Sequence, residues 1–164
     1  KVEWHYADGA ATIPSSALAG DMLFVPSHGL TALKLGADGK SFEQKWRSGR
    51  LRPGTASPLV HGQKVYSLNN AGVLACADVD SGNRLWQLRL DGPFGGSPVV
   101  ADNHMYIFSE EGLAQVVDLT APEGNVVGKM DLGEMIQCSP AVSNGALFVR
   151  SNGHIWKISR KTRL

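Results

Sequence analysis

The residues best suited to chemistry in this sequence are arginines and an isolated aromatic in glycine-rich loops. Arg47, Arg50 and Arg52 lie close together, and Phe94 stands between Pro93 and a pair of glycines. Arginine binds carboxylates through two parallel hydrogen bonds, and arginine and aromatic side chains commonly anchor interfaces. These residues therefore predict a partner-binding surface. The simpler alternative is that they are solvated loop residues.

The other reactive side chains do not form a catalytic or metal-binding pattern. The five histidines are spread along the chain, and the two cysteines, Cys76 and Cys138, are too few and too far apart for a structural zinc site. We expect both to be free thiols. Most carboxylates occupy turn positions, where aspartate caps its own backbone. The spacing thus predicts no catalytic residue and no metal ligand. His61 and His104 are expected on one face of neighbouring repeats.

Composition narrows the class of protein. The chain has 164 residues, 43% of them hydrophobic, and a formal net charge of +1. This is typical of a folded globular domain and gives no electrostatic reason to expect nucleic-acid binding. No apolar run approaches the roughly 18 residues of a membrane-spanning helix.

A repeat of 40 to 42 residues organises the whole chain. Four serines open the units: Ser15, Ser57, Ser97 and Ser139. Nine residues after each serine comes an aromatic within an apolar run: Phe24, Tyr66, Tyr106 and Phe148. Eleven residues before each serine stands Trp4, Trp46, Trp86 or, before the fourth serine, Gly128. Three coincident spacings in four units indicate one repeated supersecondary structure.

Each unit is predicted to hold four short strands without any helix. Such a unit, punctuated by glycine, is typical of a propeller blade. We therefore predict an all-β protein: a single domain, residues 1–164, with four four-stranded blades at about 15–47, 57–90, 97–132 and 139–160. A β-sandwich is the alternative. Residues 2–6 form an unmatched fourth strand, which we expect to complete the last blade and so to cover an exposed sheet edge.

The stretch from Ala77 to Trp86, with the sequence ADVDSGNRLW, resembles the repeat motif of the pyrroloquinoline-quinone-like propellers. Leu33 to Trp46 is a looser copy, whereas the third repeat has Gly128 in place of the tryptophan. The chain is most similar to the C-terminal half of exported bacterial members with eight blades. The resemblance implies that Trp4, Trp46 and Trp86 dock between neighbouring blades, and it implies a periplasmic or otherwise exported protein.

The resemblance leaves two functions open, because the family includes both an outer-membrane assembly lipoprotein and quinoprotein alcohol dehydrogenases. The first hypothesis is a non-catalytic scaffold that binds a protein, peptide or glycan and needs no cofactor. The alternative is part of a dehydrogenase whose calcium ligands and catalytic residues lie outside this chain. Such an enzyme would use pyrroloquinoline quinone with calcium.

The partner-binding surface is predicted at one mouth of the propeller. Loops from the fourth strand to the next first strand, and loops between the second and third strands, converge there. The candidate residues are Arg47, Arg50, Arg52, Asn70, Phe94, Glu110 and Asn152. Half a ring would leave two blade faces open. We therefore expect either a homodimer, in which each Trp4 strand completes the other chain, or an N-terminal half that supplies the remaining blades.

Overall fold

The computed structural model describes residues 1–159 and contains only strands and loops in that range. None of these residues forms a helix that would be long and apolar enough to cross a membrane. Fifteen strands make four antiparallel sheets, and within each sheet the strands follow one another in chain order. The all-β prediction is confirmed, and each sheet is one propeller blade.

The strands fall into four groups. The first blade contains β1 (Ala17–Ala19), β2 (Met22–Val25), β3 (Leu30–Leu35) and β4 (Phe42–Ser48). The second contains β5 (Leu59–His61), β6 (Lys64–Leu68), β7 (Val73–Asp78) and β8 (Arg84–Arg89). The third contains β9 (Val99–Ala101), β10 (His104–Phe108), β11 (Leu113–Asp118) and β12 (Asn125–Asp131). The fourth contains β13 (Ala141–Ser143), β14 (Ala146–Arg150) and β15 (Ile155–Ser159).

Strand register repeats from blade to blade. In the second blade Tyr66 of β6 lies opposite Cys76 of β7, which lies opposite Trp86 of β8. The same three positions hold Phe24, Ala32 and Trp46 in the first blade and Tyr106, Val116 and Gly128 in the third. In each of these blades the register shifts directly beside this position, and the extra residue of the bulge lies in the fourth strand. Gly128 therefore occupies the position of the tryptophans.

Consecutive blades pack face to face through apolar clusters. The largest lies between the second and third blades, where Tyr66, Trp86 and Phe94 meet Met105 and Ile107. A second cluster joins the first two blades and a smaller one joins the last two. Side chains alternate across each strand, so every central blade contributes to the cluster on either side.

A tryptophan and a glycine meet at two of these interfaces. Trp46 packs on Gly82 in the turn between the third and fourth strands of the second blade; a methyl group on Gly82 would lie 2.6 Å from Cδ2 of the indole. Trp86 packs in the same way on Gly124, with a separation of 2.5 Å. Real carbon atoms cannot approach so closely, so only glycine leaves room for the ring.

The N-terminal segment differs from expectation. Residues 2–6 form no strand, and the fourth blade has three strands within residues 1–159. Trp4 instead contacts the first blade, where its Nε1 donates to Gly39 O at 3.2 Å and its ring lies 4.7 Å from that of Phe42. Polar contacts hold the N-terminal segment against the first blade, because Arg47 donates hydrogen bonds to Tyr6 and Asp8.

Candidate binding rim

Two kinds of loop meet at one end of the blades and form what we call the rim. The loop that follows the fourth strand of each blade lies beside the loop between the second and third strands of the next blade. Hydrogen bonds join them at each junction. At the first junction Thr55 N donates to the Asn70 side chain (Oδ1) at 3.0 Å; at the other two the bonds occupy matching backbone positions, Glu110 N to Pro93 O at 2.9 Å and Asn152 N to Met135 O at 3.1 Å. The rim thus brings together the predicted residues Asn70, Glu110 and Asn152.

Arg50 and Arg52 extend from the rim at the junction of the first and second blades. Both are exposed, and neither makes an ion pair or side-chain hydrogen bond with any residue of the described chain. Leu51, between them, is fully buried in the core. Burial of this leucine fixes the backbone, so the two guanidinium groups are displayed from a rigid anchor.

Arg47 has a different role from the one predicted. Its Nε donates to Thr31 Oγ1 at 3.2 Å and its Nη2 donates to the Tyr6 hydroxyl at 2.8 Å and to the Asp8 carboxylate. The bonds to Asp8, first, and to Tyr6 raise the pKa of Arg47, and the bond between Arg47 and Asp8 also lowers the pKa of Asp8. Arg47 therefore fastens the N-terminal segment to the first blade instead of facing a partner.

The prediction that Phe94 is exposed is wrong. Its side chain is 2% exposed and packs in the cluster between the second and third blades. The loop turns inward at Gly92, whose φ of 101° suits glycine, and Thr55 Oγ1 donates to Phe94 O at 2.6 Å. Burial of the ring stabilises the folded loop through the hydrophobic effect. Phe94 supports the rim from beneath.

The exposed apolar residue of the rim is Met135, which the sequence analysis did not identify. Met135 is 49% exposed at the junction of the third and fourth blades. It occupies the loop position that holds Pro53 and Pro93 in the preceding units, four residues before the opening serine. This alignment was the available signal. Methionine is flexible and adapts well to a binding surface.

Glu134 closes the same junction with a cluster of hydrogen bonds. Its carboxylate accepts from the Ser151 hydroxyl, from Gly153 N at 3.1 Å and from His154 Nδ1. These bonds, first that from Ser151, lower the pKa of Glu134. A serine nucleophile needs a base that takes its proton, and a carboxylate of lowered pKa is a weak one. The arrangement therefore braces two loops and does not match a hydrolytic triad.

The opposite end of the blades holds the two histidines of the predicted shared face. His61 Nε2 is 2.9 Å from Asn103 Oδ1, and His104 Nδ1 is 2.8 Å from Asp102 O. Both imidazoles thus contact the turn between β9 and β10. Within residues 1–159 no three His, Cys, Asp or Glu side chains cluster as metal ligands.

The carboxylates do not fit a calcium–quinone site. Asp78 accepts from Ser81 N at 2.9 Å and from the Ser81 hydroxyl at 2.6 Å, which lowers the pKa of Asp78. Asp38 caps its own turn through Lys40 N at 2.9 Å. Calcium needs six to eight oxygen ligands around one point. Turn carboxylates on separate blades do not supply them.

Repeated four-stranded blades with a tryptophan packed on a glycine of the next blade define a pyrroloquinoline-quinone-like β-propeller repeat protein. Residues 32–127 match the model of the family described as outer membrane protein assembly factor BamB. The chain belongs to this family.

Solved structures share the fold. BamB from Moraxella catarrhalis superposes with a TM-score of 0.67 at 20% identity over 80% of this chain and 44% of that one. The computationally designed Ika4 protein gives 0.67 at 12% identity over 97% and 96% of the two chains. A europium-containing methanol dehydrogenase gives 0.57 at 18% identity over 79% and 26%. The chain thus spans less than half of the Moraxella BamB. No curated protein matches its sequence.

Proposed function

We propose that this chain is a non-catalytic binding module, that its rim docks a protein partner in outer-membrane protein assembly, and that it does so outside the cytoplasm, in the periplasm, without pyrroloquinoline quinone. The observation that carries the proposal is the repeated cross-bracing of the rim loops. Family membership supplies the process, because the matching model describes an assembly factor.

Hydrogen bonds between neighbouring rim loops favour binding because they order the loops in the free protein, so less conformational entropy is lost when a partner binds. A hydrogen bond at each junction, two of them at matching backbone positions, holds neighbouring loops together before any partner arrives. Ordering a flexible side chain or loop at an interface costs roughly 0.5 to 1.5 kcal/mol per side chain. A braced rim avoids most of that cost. Beneath it, Leu51 and Phe94 are buried and keep the loop backbones in place.

The displayed side chains favour a protein over a small ligand. Arg50 and Arg52 extend at one junction, Met135 is half exposed at another, and Glu111 is exposed between them. Arginine, an apolar anchor and a polar surround are the usual composition of an interface. The rim thus displays charges of both signs, which suits a partner surface with complementary charges.

Photocrosslinking in the producing cell tests the proposal. A photoreactive amino acid at Met135 is expected to crosslink a protein of the outer-membrane assembly apparatus. The same group at Leu85, an exposed apolar residue of β8 away from the rim, is the matched control and should not. Equal crosslinking from both positions, or none from Met135, would refute a partner on the rim.

Charge removal gives a second test. The pair Arg50→Ala and Arg52→Ala should weaken the identified complex while changing the free energy of unfolding by less than about 0.5 kcal/mol, as is usual at exposed positions. The pair Lys45→Ala and Arg84→Ala, exposed on blade edges, is the control. A large loss of stability would show that the rim arginines are structural. Alcohol-dependent dye reduction with added pyrroloquinoline quinone and calcium would instead identify a dehydrogenase.

A further inference from the structure

A cavity of about 450 Å³ opens on the rim at the first blade. It lies between the segment that precedes β1, the loop between β2 and β3, and the loop that follows β4. Residues 8–11, 26–29 and 52–53 line it. Ligand cavities in proteins commonly measure roughly 300 to 1,000 Å³. This cavity therefore has room for a side chain or a chain end of a partner.

The cavity lies beside a loop that is shorter than its counterparts. The connection from Phe24 of β2 to its partner Ala32 of β3 is two residues shorter than the connection from Tyr66 to Cys76 in the second blade. A shorter loop extends less far beyond the end of its blade, so it leaves space beside the neighbouring loop. The difference in loop length thus accounts for a cavity at this place on the rim.

The hydrogen bonds around the cavity also differ from those farther along the rim. Ala11 and Pro93 each stand four residues before the serine that opens the next blade. Pro93 O accepts a hydrogen bond from Glu110 N, whereas Ala11 N donates one to Pro26 O at 2.7 Å. His28 follows the aromatic of β2 by four residues, as Glu110 follows that of β10. The exposed His28 side chain therefore lines the cavity without bracing the neighbouring loop.

A buried hydroxyl without a partner lines the same cavity. Ser27 is 4% exposed, and its Oγ has no hydrogen-bond partner in the described part of the chain. At the corresponding positions Ser109 Oγ accepts from Leu113 N and Ser151 Oγ accepts from His154 N, both at 3.1 Å. Leaving a buried hydroxyl unpaired lowers stability. An acceptor oxygen bound in the cavity would supply the missing partner of Ser27.

Arg52 gives the cavity a net positive charge. Its side chain is exposed and makes no ion pair within residues 1–159. The Asp8 carboxylate on the opposite wall is already paired with Arg47. One negative charge therefore balances the cavity, whereas a doubly charged phosphate would be repelled by Asp8. A carboxylate carries one charge and accepts two parallel hydrogen bonds from arginine.

We propose that this cavity binds a carboxylate group of the protein that docks on the rim. Arg52 pairs with the carboxylate, and the Ser27 hydroxyl donates a hydrogen bond to it, while His28 forms part of the wall. The inference rests on the proposed function in assigning the carboxylate to the docked partner. Acidic side chains and chain ends offer the same group, and the experiment distinguishes them.

Titration of the isotope-labelled chain with short peptides, followed by NMR, tests the proposal. The probes are a capped glycine peptide with a central aspartate, the same peptide with asparagine, an acetylated glycine peptide with a free C-terminal carboxylate, and inorganic phosphate. A carboxylate peptide should bind and shift the amide signals of Ser27, His28 and Arg52, and the tighter of the two identifies the source. No binding of either, equal binding of the asparagine peptide, or tighter binding of phosphate would overturn the proposal.

Two pairs of variants assign the binding to the cavity. Arg52→Gln should weaken binding of the tighter peptide roughly tenfold to a hundredfold, the effect of losing hydrogen bonds to a charged group. Arg84→Gln removes the same charge from β8, away from the rim, and should leave the dissociation constant unchanged. Ser27→Ala should weaken binding roughly threefold to tenfold without lowering the urea midpoint. Ser67→Ala is its control, because Ser67 also has a buried, unpaired hydroxyl but does not line the cavity. Equal effects within either pair would refute the site.

The carboxylate site and the proposed function can fail separately. If Met135 crosslinks an assembly protein but neither carboxylate peptide binds, the rim function stands and the carboxylate site is rejected. If a carboxylate peptide binds with the expected response to Arg52→Gln but Met135 crosslinks nothing, the carboxylate site stands and docking on the rim is rejected.

Discussion

Replacing each interblade tryptophan by phenylalanine should have opposite consequences at two positions that share the same register. Trp46 and Trp86 each pack on a glycine of the next blade. The indole of Trp46 donates from Nε1 to Val79 O at 2.8 Å. The Nε1 of Trp86 is buried and has no hydrogen-bond partner in the described structure. The two sites therefore differ in the polar atom and in burial, since Trp46 is partly buried and Trp86 is buried.

The magnitudes follow from three contributions. Shrinking an indole to a phenyl ring loses roughly 40 Å² of buried apolar surface, or about 1 kcal/mol. At Trp46 the lost hydrogen bond adds about 1 kcal/mol and leaves Val79 O unpaired. At Trp86 the change removes a buried, unpartnered donor, which relieves a penalty of about 1 to 3 kcal/mol. We therefore expect Trp46→Phe to cost about 2 kcal/mol and Trp86→Phe to be neutral or to stabilise by up to about 2 kcal/mol, a difference of about 2 to 4 kcal/mol.

Urea unfolding followed by circular dichroism measures both free energies without relying on the altered fluorophore. Trp86→Ala is the positive control. It should cost about 3 to 5 kcal/mol, because it opens a cavity in the largest cluster. If Trp86→Phe costs as much as Trp46→Phe, the Trp86 donor is satisfied in solution and the reasoning fails.

Three further outcomes are expected. Gly128→Ala should be tolerated, because its nearest neighbours lie 3.6 Å away, whereas Gly124→Ala should cost stability in thermal melts, because the indole lies 2.5 Å from the added methyl. Iodoacetamide at pH 8 should label Cys138 before Cys76, whose pKa is raised to about 11 by burial; peptide mapping would show the order. Glu134→Gln should lower the melting temperature at pH 7. The difference in melting temperature between the variant and the wild type should disappear as the pH falls from the ordinary glutamate pKa of 4.5 towards the lowered pKa of Glu134 in the folded state. The reason is that the Glu134 hydrogen bonds stabilise the fold only while its carboxylate is ionised.

The blade register was predictable because several independent constraints repeat together. An opening serine, an aromatic nine residues later and a tryptophan eleven residues earlier cannot all recur unless the strands pair in one way. The structure places Tyr66 opposite Cys76 and Cys76 opposite Trp86, and it gives Gly128 the corresponding place in the third blade. The position of the rim loops follows from the same pairing.

The behaviour of single loop residues was not predictable from local sequence. Glycines beside Phe94 allow the ring to point outward or inward, and the choice depends on the apolar space between two blades. Arg47 sits beside Arg50 and Arg52, yet its partners Tyr6 and Asp8 are more than thirty residues away in the chain. Such contacts arise only when blades assemble, so residue type and spacing cannot reveal them.

The rim loops are connected to the blade interfaces by direct hydrogen bonds and apolar contacts. Gln115, buried in the third blade, exchanges hydrogen bonds of 3.0 and 2.9 Å with the backbone of Asp91, at the start of a rim loop. Phe94, in the same rim loop, lies in the apolar cluster that also contains Trp86. The spacing between blades, set where a tryptophan meets a glycine, therefore determines the spacing between rim loops. Core substitutions that shift one blade against the next should therefore alter partner affinity even though no rim residue has changed. The effect should be greatest for substitutions beside the junction that contacts the partner.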